Sequence, residues 1–171
     1  TEAKRIITTC PECAYTLRTT YPEEIGEVGL DVFHITEFLA KEAPQKSSQQ
    51  GSRAESEKVT YQDPCRLGRF AGTYQEPRDL ISELGFELVE MDHNQKSSIC
   101  CGTSCWSTCG QVNKNIQSSR LDEARNTGAE LLVTACLKCQ IHLKCAQKDP
   151  GNGNLSRIAI RDLTTLLAER I

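Results

Sequence analysis

The chain has 171 residues, 38% of them hydrophobic and 25% charged, with a formal net charge of −3. That length suits one compact domain or two small halves. The acidic balance advertises no basic face for nucleic acid, and no apolar run approaches the ~18 residues of a membrane span. Ten cysteines stand against this ordinary background. No secretory h-region precedes them, so a reducing, cytoplasmic setting is expected and a disulfide framework is the lesser reading. Thr1-Glu2-Ala3-Lys4-Arg5 holds no initiator Met and leads almost directly into a strand, as in a fragment or mature segment of a longer chain.

Arg5-Ile6-Ile7-Thr8 is short and β-branched and predicts a strand. Cys10-Pro11-Glu12-Cys13 follows, then a helical stretch to about Thr20, closed by Tyr21-Pro22. Val32–Ile35 predicts a second strand, and Thr36 a cap for a short helix to about Lys41 that turns Phe38 and Leu39 inward. Residues 43–57 contain no large apolar residue and are rich in Ser, Gln and charge, which predicts a flexible linker or loop. Beyond it, Val59–Gln62 predicts a strand ending at Asp63-Pro64-Cys65, Pro77–Ile81 opens a helix that Gly85 stops, and Phe86–Met91 alternates as a strand. After Ile99-Cys100-Cys101-Gly102 comes a long helix over about Val112–Thr127, with Ile116, Leu121 and Ala124 on its buried face and Gly128 at its end. Leu131–Thr134 predicts a strand into Cys136-Leu137-Lys138-Cys139, then a helix to about Lys148. A turn at Pro150–Gly153, a strand at Ile158–Ile160 and a last helix over Leu163–Arg170 complete the chain.

Strands alternating with helices define an α/β fold with small, largely parallel sheets and flanking helices. Each cysteine pair falls at a strand's C-terminal end or a helix start, where open parallel sheets hold ligands. An internal repeat sharpens the organisation. Ile6-Ile7-Thr8-Thr9-Cys10-x-x-Cys13-x-x-x-Leu17-Arg18 aligns without a gap on Leu132-Val133-Thr134-Ala135-Cys136-x-x-Cys139-x-x-x-Leu143-Lys144. After a two-residue shift, Thr36–Ala40 aligns on Thr164–Ala168. Residues 1–42 therefore read as the C-terminal part of a first pseudo-repeat, 43–57 as a linker, and 58–171 as a complete second repeat.

The second repeat offers five thiols from three loops: Cys65; then, after 34 intervening residues, Cys100-Cys101; then, after another 34, Cys136-x-x-Cys139. Gathered thiolates repel unless a metal neutralises them, and soft thiolates select zinc, copper(I) or iron–sulfur clusters. Neighbouring side chains on extended backbone point apart, and a single zinc is gripped by C-x-x-C hooks and takes four ligands. A polynuclear cluster can be met by both vicinal thiolates, with Gly102 allowing a close turn. The residues favour iron–sulfur ligation, with zinc as the alternative.

These motifs, with Asp63-Pro64-Cys65-Arg66-Leu67-Gly68-Arg69 and Tyr74-x-x-Pro77-Arg78, resemble the cysteine-rich CCG domain. That domain occurs in heterodisulfide reductase catalytic subunits, in iron–sulfur subunits of enzymes oxidising glycolate, lactate and glycerol-3-phosphate, and in membrane redox complexes of sulfate reducers. Thr9-Cys10-Pro11-x-Cys13 and Tyr21-Pro22 resemble the end of a preceding unit. The resemblance implies a noncubane 4Fe–4S cluster on Cys65, Cys100, Cys101, Cys136 and Cys139, at which a disulfide is cleaved. Other members hold an ordinary cluster and relay electrons, or hold zinc. Residues 103–109, Thr-Ser-Cys-Trp-Ser-Thr-Cys, replace the glycine run of many members, which points to Cys105 and Trp106 as controls of substrate access.

The expected function is thus that of an iron–sulfur subunit of a redox complex reducing a disulfide or similar sulfur substrate. The alternatives are a plain electron-transfer domain and a zinc-stabilised assembly module. No ferredoxin cysteine run, dinucleotide loop or P-loop is present, so electrons are expected from a ferredoxin-like, flavin or haem partner, and a membrane attachment only through such a partner. Cys10 and Cys13 are a candidate second metal pair completed by an upstream segment, or are inert. Cys105 and Cys109 read as packed or free thiols rather than ligands, Cys145 as a buried small hydrophobe, and His34, His93 and His142 as structural or surface residues. Arg66 and Arg69 read either as surface arginines or as stabilisers of an anionic cluster.

Overall fold

A computed structural model describes residues 3–27, 29–42, 56–103, 109–149 and 158–169. Two parallel sheets organise it. The smaller pairs β1 (Arg5–Thr8) with β2 (Asp31–His34) in register Arg5 to Asp31 through Thr8 to His34. The larger contains β3 (Lys58–Gln62), β4 (Glu87–Leu88), β5 (Leu131–Thr134) and β6 (Ala159–Asp162) in spatial order β4-β3-β5-β6. The helices are α1 (Pro11–Tyr15), α2 (Tyr21–Ile25), α3 (Ile35–Glu42), α4 (Gln75–Glu83), α5 (Gln111–Asn126), α6 (Leu137–Gln147) and α7 (Leu163–Ala168). The α/β class expected from the alternating pattern is the observed one.

The larger sheet is covered on both faces, and strand periodicity decides which residue goes where. Val59, Tyr61, Leu131 and Val133 meet Leu80, Ile81 and Leu84 around α4 and Leu163 and Leu166 of α7 in one core cluster. Leu132 and Ile160, one step out of phase, meet Leu121 and Ala124 of α5 and Leu143 and Ala146 of α6 in another. That second cluster also contains Cys101, Cys136 and Cys139. The strand order reverses direction between β3 and β5, so a crevice opens outside their C-terminal ends.

Several elements depart from the sequence-based expectation. Tyr21-Pro22 does not close the first helix. A π-helical turn over Thr16–Thr20 joins α1 to α2, with the Tyr21 N–H reaching the Thr16 carbonyl. The wider winding lets the helix run through a proline that has no N–H to donate. It stops at Gly26, whose φ of 83° only glycine adopts readily. Thr36 does not cap α3; His34 does. The Thr36 N–H donates to His34 Nδ1 at 3.3 Å, and Glu37 Oε2 accepts from the His34 N–H at 2.8 Å, a reciprocal cap. Phe38 and Leu39 are only half-buried; Leu39 packs on the main core and Phe38 faces Phe33 at 6.4 Å.

The strand expected over Phe86–Met91 shortens to Glu87–Leu88, because Glu90 turns to the Arg78 guanidinium. The buried face of α5 is more polar than predicted: Asn113, Gln117 and Arg120 are buried beside Leu121 and Ala124, while Ile116 is half-exposed. The stretches at 43–55 and 150–157, expected as linker and turn, lie outside the described residues.

β1 with α1 and β5 with α6 repeat one strand–cysteine–helix order, and β2–α3 corresponds likewise to β6–α7. Asp162 caps α7 from the position equivalent to His34, accepting from the Thr164 and Thr165 N–H groups. The smaller sheet joins the larger through Glu37. Its carboxylate accepts from Thr73 Oγ1 at 2.6 Å and from Arg18 Nη1 at 3.1 Å as well as from the His34 N–H. Burial pushes the Glu37 carboxyl up, but Thr73, His34 and Arg18 outweigh it and hold the group below its ordinary 4.5.

A carboxyl lowered in the folded state stabilises the fold above the unfolded pKa and loses that contribution as pH falls through the folded one. Glu37→Gln should therefore cost roughly 2 kcal/mol at neutral pH. The gap from the parent should shrink below about pH 4.5. Denaturant melts of both proteins at neutral and acid pH check this; a pH-independent gap contradicts it.

Candidate metal centre

The first sulfur loop leaves β3 at Asp63-Pro64-Cys65, and a buried ion pair holds it. Arg78 Nη1 and Nη2 donate to the two Asp63 carboxylate oxygens at 2.9 and 3.0 Å, and Nε donates to Glu90 Oε1 at 2.6 Å. Nη1 also reaches the Tyr74 carbonyl at 2.7 Å. Asp63 Oδ2 accepts from the Gln95 N–H at 2.8 Å, which ties down the chain leading to Cys100. Burial pulls the Arg78 guanidinium down, and the two carboxylates more than restore it, so it stays charged. The Leu67 and Gly68 N–H groups turn back to the Pro64 carbonyl, and Phe70 N–H to that of Cys65 at 3.1 Å. Gly68 is required here because an added Cβ would lie 2.6 Å from Tyr74 Cε1. The Asp63–Arg69 and Tyr74–Arg78 motifs are thus two halves of one clamp around Cys65.

The second loop turns at Gly102, at φ +73°. A Cβ there would sit 2.8 Å from the Asn113 carbonyl and from Gln117 Cγ, so the loop lies directly against α5. Asn113 Nδ2 donates to the Gly102 carbonyl at 2.9 Å, and Arg69 Nη2 to the Ser98 carbonyl at 2.7 Å. The third loop is the start of α6: Cys136 is its extended N-cap residue and Cys139 lies in its first turn.

The five thiols influence one another pairwise: Cys65 with Cys100, Cys100 with Cys101, Cys101 with Cys139, and Cys139 with Cys136. Cys100 is exposed, Cys65 half-buried, and Cys101, Cys136 and Cys139 are buried. Contacts from Cys101 and Cys65 lower the Cys100 thiol from its ordinary 9.0, and of the five it is the one drawn furthest toward the thiolate. The contact from Cys139 lowers Cys136 to about 7. Their donors move the other way: Cys100 raises Cys65 and Cys101, and Cys101 raises Cys139. Among the described residues no three His, Cys, Asp or Glu side chains close on one metal-ion position. Five thiols from three loops exceed the four ligands one zinc takes, and such a donor set suits a polynuclear group better than a single zinc.

Other candidate residues fall elsewhere. Cys10 caps α1, accepting from the Cys13 N–H at 3.5 Å, and the Cys10 contact and burial raise the Cys13 thiol. The Glu12–Lys138 ion pair ties this loop to the Cys136–Cys139 loop. Cys105 and Trp106 lie outside the described residues. Cys109 is exposed, and Cys145 is also exposed rather than buried, because α6 turns it away from the sheet. His93 is bonded to Glu123, and buried His142 has Nδ1 3.3 Å from Gln117 Nε2. Arg66 stacks over Phe70 and Tyr15, with its guanidinium 4.4 and 5.4 Å from their ring centroids. Sequence reading missed Gln62, Gln117 and Arg120, whose polar side chains lie buried behind the loops. The signal for Gln117 and Arg120 was a helix whose polar residues recur at the core-facing spacing; Gln62, at the end of β3, carried none.

The cysteine-rich (CCG) domain model matches residues 59–144, half of the chain, and the chain belongs to this family. One relative, from the dihydromethanophenazine:CoB–CoM heterodisulfide reductase of Methanosarcina barkeri, is 31% identical over 99% of this chain and 41% of its own length. Another, from a fumarate reductase (CoM/CoB) of Methanothermobacter marburgensis, is 31% identical over 92% of this chain and 31% of its own length. Both are single subunits of those enzymes. A Bacillus subtilis protein described as the probable iron–sulfur-binding oxidoreductase FadF is 28% identical over 99% of this chain and 24% of its own length. The chain spans less than half of each of these relatives.

Two experiments test the clamp and the thiol pattern. Arg78→Ala leaves the buried Asp63 carboxylate unpaired and should cost about 3–5 kcal/mol in denaturant melts. In metal-free protein, iodoacetamide at mildly acid pH should label Cys100 well before Cys65 or Cys101, read by peptide mass mapping. Equal labelling of all three contradicts the assigned thiolate.

Proposed function

We propose that this chain is part of an iron–sulfur subunit of a redox complex, in which Cys65, Cys100, Cys101, Cys136 and Cys139 hold a 4Fe–4S cluster, noncubane in type, where a disulfide or similar sulfur substrate is reduced. The observation that carries the reading is that five thiols from three loops influence one another pairwise, with Cys100 and Cys136 drawn toward the thiolate form that binds iron. The named relatives, two of them oxidoreductase subunits and one iron–sulfur-binding, support the same class. The cluster would supply electrons, and an iron atom that a substrate sulfur can reach.

The protein's own part is to hold five ligands on three braced loops and to leave one side open. Cys100 and Cys65 lie on that side; Cys101, Cys136 and Cys139 are sealed into the apolar core between sheet, α5 and α6. Reducing one disulfide to two thiols consumes two electrons and two protons. A ferredoxin-like, flavin or haem partner is proposed as the electron donor. Among the described residues no helix is long and apolar enough to cross a membrane, so attachment to a membrane complex is proposed to run through such a partner, with this chain on the cytoplasmic side.

Protein purified without oxygen should be brown and carry about four irons per chain. Cys101→Ser should lose most of that iron. Added thiol should change the paramagnetic resonance signal of the oxidised parent. A colourless protein with one zinc contradicts the reading and supports the assembly-module alternative. A brown protein whose signal ignores added thiol supports electron relay instead.

A further inference from the structure

Arg120 is the largest fully buried side chain of the described residues, at 0% exposure, and it lies on the polar face of α5 behind the sulfur loops. Its Nη1 donates to Glu123 Oε2 at 2.6 Å and to the His93 carbonyl at 2.8 Å. Nη2 donates to Ser98 Oγ at 3.2 Å, and Nε to Gln62 Oε1. Gln62, itself buried, passes the connection on: its Nε2 donates to the carbonyls of Asp63 at 2.9 Å and Ile99 at 3.2 Å. Those carbonyls stand two residues before Cys65 and one before Cys100. Ser98, which takes the Nη2 hydrogen bond, stands two residues before Cys100.

Burying a guanidinium is costly unless something anionic repays it. Glu123 is the one carboxylate bonded to Arg120 among the described residues, and it takes only the Nη1 edge, leaving Nη2 and Nε to Ser98 and Gln62 beside the sulfur loops. Packing alone would be served as well by an apolar side chain of similar volume. A buried positive charge facing an anionic redox group favours the extra electron, and low surrounding polarity strengthens the effect.

We propose that Arg120 is a positioning residue that sets the redox potential of the group held by the five cysteines, bracing two of their loops through Gln62 while presenting a buried positive charge to it. The inference rests on the cluster reading above and adds to it the residue that tunes the cluster. Glu123 is then the counterweight, partly neutralising that charge.

Equilibrium redox titration of the intact, iron-loaded chain, followed by paramagnetic resonance with iron measured alongside, tests this. Arg120→Gln should lower the potential. Arg120→Lys, which keeps the charge but loses the fork, should stay near the parent potential and load less iron. Glu123→Gln, which leaves the guanidinium unbalanced, should raise the potential. A purely structural residue would reduce iron or stability in all three without this ordered pair of opposite shifts. If Arg120→Gln does not fold, Glu123→Gln decides alone: an unchanged or lowered potential overturns the proposal. A parent protein without iron overturns the cluster reading and this inference together, whereas a brown parent with unmoved variant potentials overturns only this inference.

Discussion

The bidentate pair between Asp63 and Arg78 is the interaction on which the sulfur site depends. It sits where β3 ends, at the reversal of strand order, and it fixes where the chain goes next. One carboxylate takes the guanidinium of α4 and the Gln95 N–H, so a helix, a strand end and the approach to Cys100 share a single buried anion. Glu90 completes the neutralisation from the other side. Removing either member leaves a buried charge without a partner, which is why such a pair is costly to break even where its net contribution to stability is small.

The core behind the sulfurs is two-sided in chemistry. On the α4 and α7 face the sheet packs against aliphatic side chains, as in any covered parallel sheet. On the α5 and α6 face, apolar contacts surround three of the cysteines, and above them Asn113, Gln117 and Arg120 carry hydrogen bonds to the loops and to one another's neighbours. This division suits five cysteines gathered from three separate loops. Hydrogen bonds fix loop backbone; apolar packing alone does not.

The smaller sheet is joined to the larger by a few polar contacts of high specificity. Glu37 binds both halves, Glu12 pairs with Lys138, and Tyr15 stands edge-on to Phe70 at 5.5 Å beneath the Arg66 guanidinium. Glu12 and Lys138 occupy equivalent positions of the two cysteine loops, and their ion pair ties the two C-x-x-C turns together.

Much of this was legible in the sequence. Alternating strands and helices, the gapless repeat and the spacing of Cys65, Cys100-Cys101 and Cys136-x-x-Cys139 follow from local rules: periodicity, turn chemistry and the placement of ligands at strand ends. The glycine of Cys100-Cys101-Gly102 was readable as a point of close approach, though not that Asn113 and Gln117 are what approaches. Local rules failed where distant residues decide. His34 displaced Thr36 as a helix cap because Glu37 was already held from Arg18 and Thr73. Glu90 left its strand for Arg78, and α5 turned a polar face inward because Gln62 and the Cys100 loop needed donors. Propensity and spacing describe neighbours along the chain, whereas a buried hydrogen bond is satisfied by whichever partner the fold brings near, and for Arg120 that partner lies on β3.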